Sequence, residues 1–178
     1  MNTGLSGSSH IWMGVVVSIA ILFSFALACG MPFAAIGALA ALTLSPRDAV
    51  VLAGLGWFAN QVVGFGFLGY PLDAMTFAWG FALGISAVAA VGAAFLALSH
   101  TEAFGALVRL PIAFLAAWAG QQGTVFVASL FLGASETAFA PDVLWFIFWT
   151  NALAFAVLVF AQTVGARIGL ARSVPYSS

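Results

Sequence analysis

Residues 48–70, DAVVLAGLGWFANQVVGFGFLGY, decide how the rest of the chain is read. The stretch has no charged side chain after Asp48, and as a helix it is long enough to cross a hydrocarbon core of ~30 Å. Asn60 and Gln61 sit side by side within it. An amide in hydrocarbon costs free energy until it finds a partner, so a span with two of them faces protein or a cavity. Gly56, Asn60 and Gly64 recur every four residues, which puts small and polar groups on one helical face. The stretch therefore reads as the wall of a site, with other spans packed around it.

Composition supports the same class. Of 178 residues, 64% are hydrophobic and 5% are charged, and mean hydropathy is +1.17. Soluble domains carry about 25% charged residues. An exterior so poor in charge meets lipid. At about 20 residues per span the expectation is an all-α, polytopic membrane helix bundle of about six transmembrane helices, forming one integral membrane domain over 1–178. There is no lysine and the net charge is −1, which argues against a nucleic-acid partner. A single cysteine, Cys29, precludes an intrachain disulfide.

Apolar runs and their punctuation place the spans at about 11–29, 32–44, 49–69, 74–98, 111–133 and 143–164. The first carries Ala20, Ser24 and Ala28 on one face. Its uncharged start and its length argue against a cleaved signal peptide, although Ala26–Cys29 loosely resembles a lipoprotein box. Gly30–Pro32 reads as a turn, and the run to Leu44 is short for a span. Residues 11–45 thus admit either two spans or one span plus a re-entrant segment. Ser45-Pro46-Arg47-Asp48 is a helix start. In the fourth run, Ala78, Ala82, Ser86, Ala90 and Ala94 form a ladder beside Gly80 and Gly84, which predicts close approach from two sides and a central place. Residues 99–110 suggest a short interfacial helix, with Pro111 opening the fifth span.

The arginines set an orientation. Arg47, Arg109, Arg167 and Arg172 fall on one face of a six-span layout, and Asp73, Glu136 and Asp142 on the other. The positive-inside rule makes the arginine face and the C-terminus cytoplasmic, in a multi-pass protein of the cell inner membrane.

Five amides lie at mid-depth or in the outer half of three spans: Asn60, Gln61, Gln121, Gln122 and Asn151. Interhelical hydrogen bonds explain one amide readily; five favour a polar cavity. At the outer face Tyr70, Asp73, Glu136, Trp79, Trp145 and Trp149 either form an aromatic belt with solvated carboxylates or close a mouth over a ligand. Substrate binding is therefore expected at Asn60, Gln61, Tyr70, Asp73, Trp79, Glu136, Trp145, Trp149 and Asn151. No catalytic motif is present, so no enzyme and no cofactor are expected. No metal site is expected either, since Cys29 reads first as a small hydrophobe and only second as a soft-metal ligand.

The Ala20/Ser24/Ala28 face, the short Pro32–Leu44 helix, Asn60-Gln61 and the loops 29–32, 69–73 and 134–142 resemble the S component of energy-coupling-factor vitamin transporters. That resemblance implies an uptake protein that takes a small vitamin-like substrate, cobalamin among the candidates, into an outward-facing cavity. It also implies docking on a membrane coupling protein with ATPase subunits through Ala-x-x-x-Ala faces of the early helices. Here that spacing falls at Ala34 and Ala38 of the second run, and the first run has Ser24 in the series. The alternative is a non-transporting scaffold or assembly subunit of a larger membrane complex, in contact with lipid and protein only.

Overall fold

The computed structural model describes residues 12, 14–18, 32–133 and 138–169. Among these residues there are helices and connections and no strand. Trp12 and residues 14–18 are helical. Five helices follow: α1 Phe33–Thr43, α2 Pro46–Gly66, α3 Ala74–Leu98, α4 Ala106–Leu132 and α5 Pro141–Arg167. The last four are long and apolar enough to cross a membrane. The protein is an all-α, membrane-embedded bundle.

Local chemistry explains most boundaries. Ser45 caps α2, its hydroxyl oxygen accepting from the Asp48 N–H (3.3 Å) while its O–H donates to the Asp48 carboxylate (2.8 Å), with Pro46 in the first turn. Asp73 caps α3, accepting from the Thr76 N–H at 2.8 Å. Gly69, with φ 67°, occupies the left-handed region in the turn between α2 and α3. The connections between successive long helices are short, so neighbours run antiparallel. Arg47, Arg109 and Arg167 therefore share one end of the bundle, while Asp73 and Asp142 lie at the other.

Two expectations need correction. The fifth span begins at Ala106 and runs through Pro111 without a break. The proline removes a hydrogen bond to the Leu107 carbonyl, but Leu107 is 91% exposed at the helix start, where water can serve that carbonyl. The separate interfacial helix is thus absent among the described residues, and 99–105 is a connection.

The second correction concerns the centre. The alanine ladder does bury Ala82, Ser86, Ala90 and Ala94, and Gly80 and Gly84 do receive side chains from α2. Yet α3 keeps an exposed face at Phe81 and Ile85. The centre belongs to α1, which is buried at every position from Phe33 to Leu42 and touches α2, α3, α4 and α5. A helix apolar on all sides belongs inside a bundle. One flank, including Ile36 and Leu39, packs with Trp12, Val16, Leu52, Ala154 and Leu158. The other, Ala34, Ala38 and Leu42, packs with Ala90, Ala94, Ala113 and Ala117. Ala34 and Ala38 are each 0% exposed, so the Ala-x-x-x-Ala spacing there holds the core and is no outward docking face. The Ala20/Ser24/Ala28 face and Cys29 lie outside the described residues.

Glycine allows the closest approaches. A Cβ at Gly37 would sit 3.1 Å from the Val91 backbone nitrogen. One at Gly120 would sit 2.9 Å from the Ala89 carbonyl oxygen and 2.7 Å from the Ala93 Cβ. The second contact belongs to α3 and α4, the most extensively packed pair; α4 and α5 keep their backbones farther apart and meet through rings, Phe114 stacking on Phe155 and Trp118 meeting Phe148 edge-on, each at 5.4 Å.

Candidate functional site

At 11 residues, α1 is only about 16 Å long, roughly half of a ~30 Å core. Its C-terminus joins α2 through Leu44 and Ser45 at the arginine end. Its N-terminus at Phe33 stops at mid-depth, and beyond it a void lies between the described parts of the long helices. A chamber of about 160 Å³ lies there, lined by Phe33 of α1, Asn60 of α2, Leu83 of α3, Gln121, Gln122 and Val125 of α4, and Phe146, Ile147, Thr150 and Asn151 of α5. Four amide residues and Thr150 thus line one void from three helices.

A wider vestibule of about 430 Å³ adjoins it, lined by Met75, Trp79, Gln122, Val125, Leu132, Gly133, Ala138, Phe139 and Ile147. Gln122, Val125 and Ile147 border both spaces. The vestibule lies at the end without arginines, among the start of α3, the last turns of α4 and the segment leading into α5. The two voids follow one another from that end to mid-depth, with Phe33 of α1 lining the inner one.

Polar satisfaction in the chamber wall is incomplete. Asn151 is 2% exposed and Gln121 6% exposed. The Asn151 Nδ2 donates to the Ile147 carbonyl at 3.0 Å, which fixes the amide's orientation, and its Oδ1 has no partner. Gln121 Oε1 also has none. An unsatisfied buried acceptor costs about 1–3 kcal/mol, and native structures contain few. Two on one wall call for a reason. Among the described residues, none that lines the chamber or the vestibule is ionisable.

Of the substrate-binding residues expected from sequence, Asn60 and Asn151 meet at the chamber and Trp79 borders the vestibule. Gln61, Tyr70, Asp73, Trp145 and Trp149 border neither space. Gln61 turns toward α3, its Oε1 facing Gly80, with its Nε2 buried and unpartnered. Adjacent helical residues point about 100° apart, so Asn60 and Gln61 do not share a face. Tyr70 folds back over Gly64, its N–H donating to the Gly64 carbonyl at 3.1 Å, and its ring meets Phe65 edge-on. Asp73 is committed to its cap, and the Thr76 N–H holds its carboxyl below the usual aspartate range. Trp145 and Trp149 are exposed and meet edge to face at 5.4 Å, the arrangement of an interfacial aromatic pair. Glu136 lies outside the described residues.

Sequence reasoning noted Gln121 and Gln122 as mid-span amides without placing them among the binding residues. It missed Phe33 and Thr150. Thr150 had a signal, since it immediately precedes Asn151. It also missed Gln162, an amide 1% exposed about three turns beyond Asn151 toward the arginine end. Among the described residues no group of three or more His, Cys, Asp or Glu side chains could hold a metal.

No protein-family model matches this chain, and no curated protein or solved structure matches it.

Proposed function

We propose that this protein is a small membrane uptake protein that admits a vitamin-sized molecule from outside into the chamber above α1. The observation that carries the reading is the convergence of Asn60, Gln121, Gln122 and Asn151 on one void, with two of their oxygens unsatisfied. Helix stitching alone would pair those oxygens; a guest gives them partners. With the arginine end in the cytoplasm, the vestibule faces outward and the C-terminus inward, as expected of a solute-capturing subunit in the inner membrane. Chamber and vestibule together fall in the size range of small-molecule sites and suit a ligand of one or two rings better than the corrin of cobalamin. The inner void lies at mid-depth, with Phe33 of α1 lining it, so release requires the bundle to move. In the manner of the energy-coupling-factor S components, a separate membrane coupling protein with ATPase subunits would drive that movement. The chemistry asked of this chain is binding, with no catalytic step.

The scaffold reading has one feature in its favour. An apolar groove of about 510 Å³ runs between α2 and α3, lined by Gly54, Trp57, Phe81, Gly84, Ile85, Val88 and Ala89. A neighbouring helix would fit it, as would a lipid chain.

Mass spectrometry of small molecules released from protein purified out of native membranes separates the two. Uptake predicts a stoichiometric small molecule that Asn60→Leu loses while expression holds. A scaffold predicts co-purifying protein and lipid only, and no change with Asn60→Leu.

A further inference from the structure

The chamber wall also constrains what kind of molecule enters, given that it is the binding site proposed above. Three features act together. The amide oxygens of Gln121 and Asn151 are acceptors without donors. The Asn151 oxygen cannot exchange places with its nitrogen without giving up the bond to the Ile147 carbonyl. The third feature is α1, whose N-terminus at Phe33 borders the same void. Pro32 gives no side-chain cap there, and first-turn N–H groups have no acceptor within their own helix. That terminus carries partial positive charge and favours an acceptor.

Among the described residues no cation or carboxylate lines the space, and against that wall a fully charged ligand would lose its hydration at mid-depth without a counter-charge. A carboxylate is further disfavoured because it would bring acceptors to acceptors. Phe33 and Phe146 give the remainder an apolar, aromatic lining suited to a ring.

We infer that the chamber selects compact, uncharged molecules whose edge carries an N–H donor beside a carbonyl acceptor, as in a carboxamide, lactam or cyclic ureide. The donor meets Asn151 and Gln121, and the carbonyl meets the first turn of α1. A site built to hydrogen-bond an N–H discriminates strongly against an analogue that lacks it, because its own buried groups are then left unpaired.

The test uses two matched triplets against the full chain in lipid nanodiscs, read by ligand-observed saturation-transfer NMR. One triplet is benzamide, N,N-dimethylbenzamide and benzoate; the other is uracil, 1,3-dimethyluracil and orotate. The expected result is saturable binding of benzamide or uracil, with its methylated and carboxylate partners at least tenfold weaker, about 1.4 kcal/mol. Asn151→Leu and, independently, Gln121→Leu should weaken the parent compound and leave the methylated one unchanged. Equal binding of a carboxylate or a methylated member overturns the inference, as does silence of both parents. Mass spectrometry of released small molecules separates that failure from failure of the site. A co-purified anion, or a ligand without N–H, removes the selectivity and keeps the chamber. No co-purified ligand together with two silent triplets removes both.

Discussion

Two levels of the bundle contrast. At the arginine end α1 fills the centre, every one of its residues through Leu42 is buried, and its neighbours close on it through alanine and glycine. Above Phe33 the described parts of the same long helices border a void, and amides take the place of alanines along its wall. The lower level is held by close packing, so volume matters there. The upper level is underfilled, so hydrogen-bonding character matters more than volume.

Substitutions that add volume to the lower level should have the largest effect. Gly120→Leu places a branched side chain where even a Cβ would crowd the Ala89 carbonyl. It should destabilise the fold by about 3 kcal/mol or more, read as loss of monodisperse protein and a lowered denaturation midpoint in detergent. Removing volume comes next. Leu39→Ala, at a residue 1% exposed in α1, should cost about 2–5 kcal/mol. Val125→Ala, on the wall of both voids, should cost less than about 1 kcal/mol, because little packing is lost beside an existing space. Equal costs for the two would erase the contrast between the levels.

Polarity should sort the levels the other way. Asn151→Leu removes an unsatisfied oxygen, so thermal stability should hold or rise while affinity for the native ligand falls at least tenfold. A parallel loss of stability and affinity would assign Asn151 to helix stitching. The smallest effect belongs to the rim. Asp73→Ala removes the cap of α3 and should lower stability slightly, as measured by thermal unfolding at neutral pH. Because the folded carboxyl titrates below the ordinary value of 3.8, its contribution is present above that pH and is lost as pH falls through the lower folded value. The difference between wild type and Asp73→Ala should therefore vanish in acid.

The membrane class and the four long helices were legible because apolar runs and their Ser-Pro, Asp and Gly boundaries are local signals. The place of α1 was readable in principle. A stretch from Phe33 to Leu42 with no polar face has no side for water or headgroups, yet its small residues suggested a smooth face for a neighbour outside. Asn60 and Asn151 stood out because buried amides are rare and costly, and both line the chamber. Gln61 was not separable from Asn60 by type, only by its angle around the helix. Tyr70 and Asp73 were drawn off by short-range partners, Gly64 and Thr76, that composition does not reveal. The exposed Trp145 and Trp149 followed the belt reading rather than the mouth.

The central claim is a polar chamber above a half-length helix, open from the end without arginines. Single-cysteine labelling in a Cys29→Ser background, using oriented vesicles and a membrane-impermeant thiol reagent, tests it most directly. Val125→Cys should react from the side opposite the arginines and be protected by ligand, while Ala38→Cys, at a fully buried position of α1, should stay unreactive from either side. An unreactive Val125→Cys, or one labelled only from the arginine side, would contradict the account.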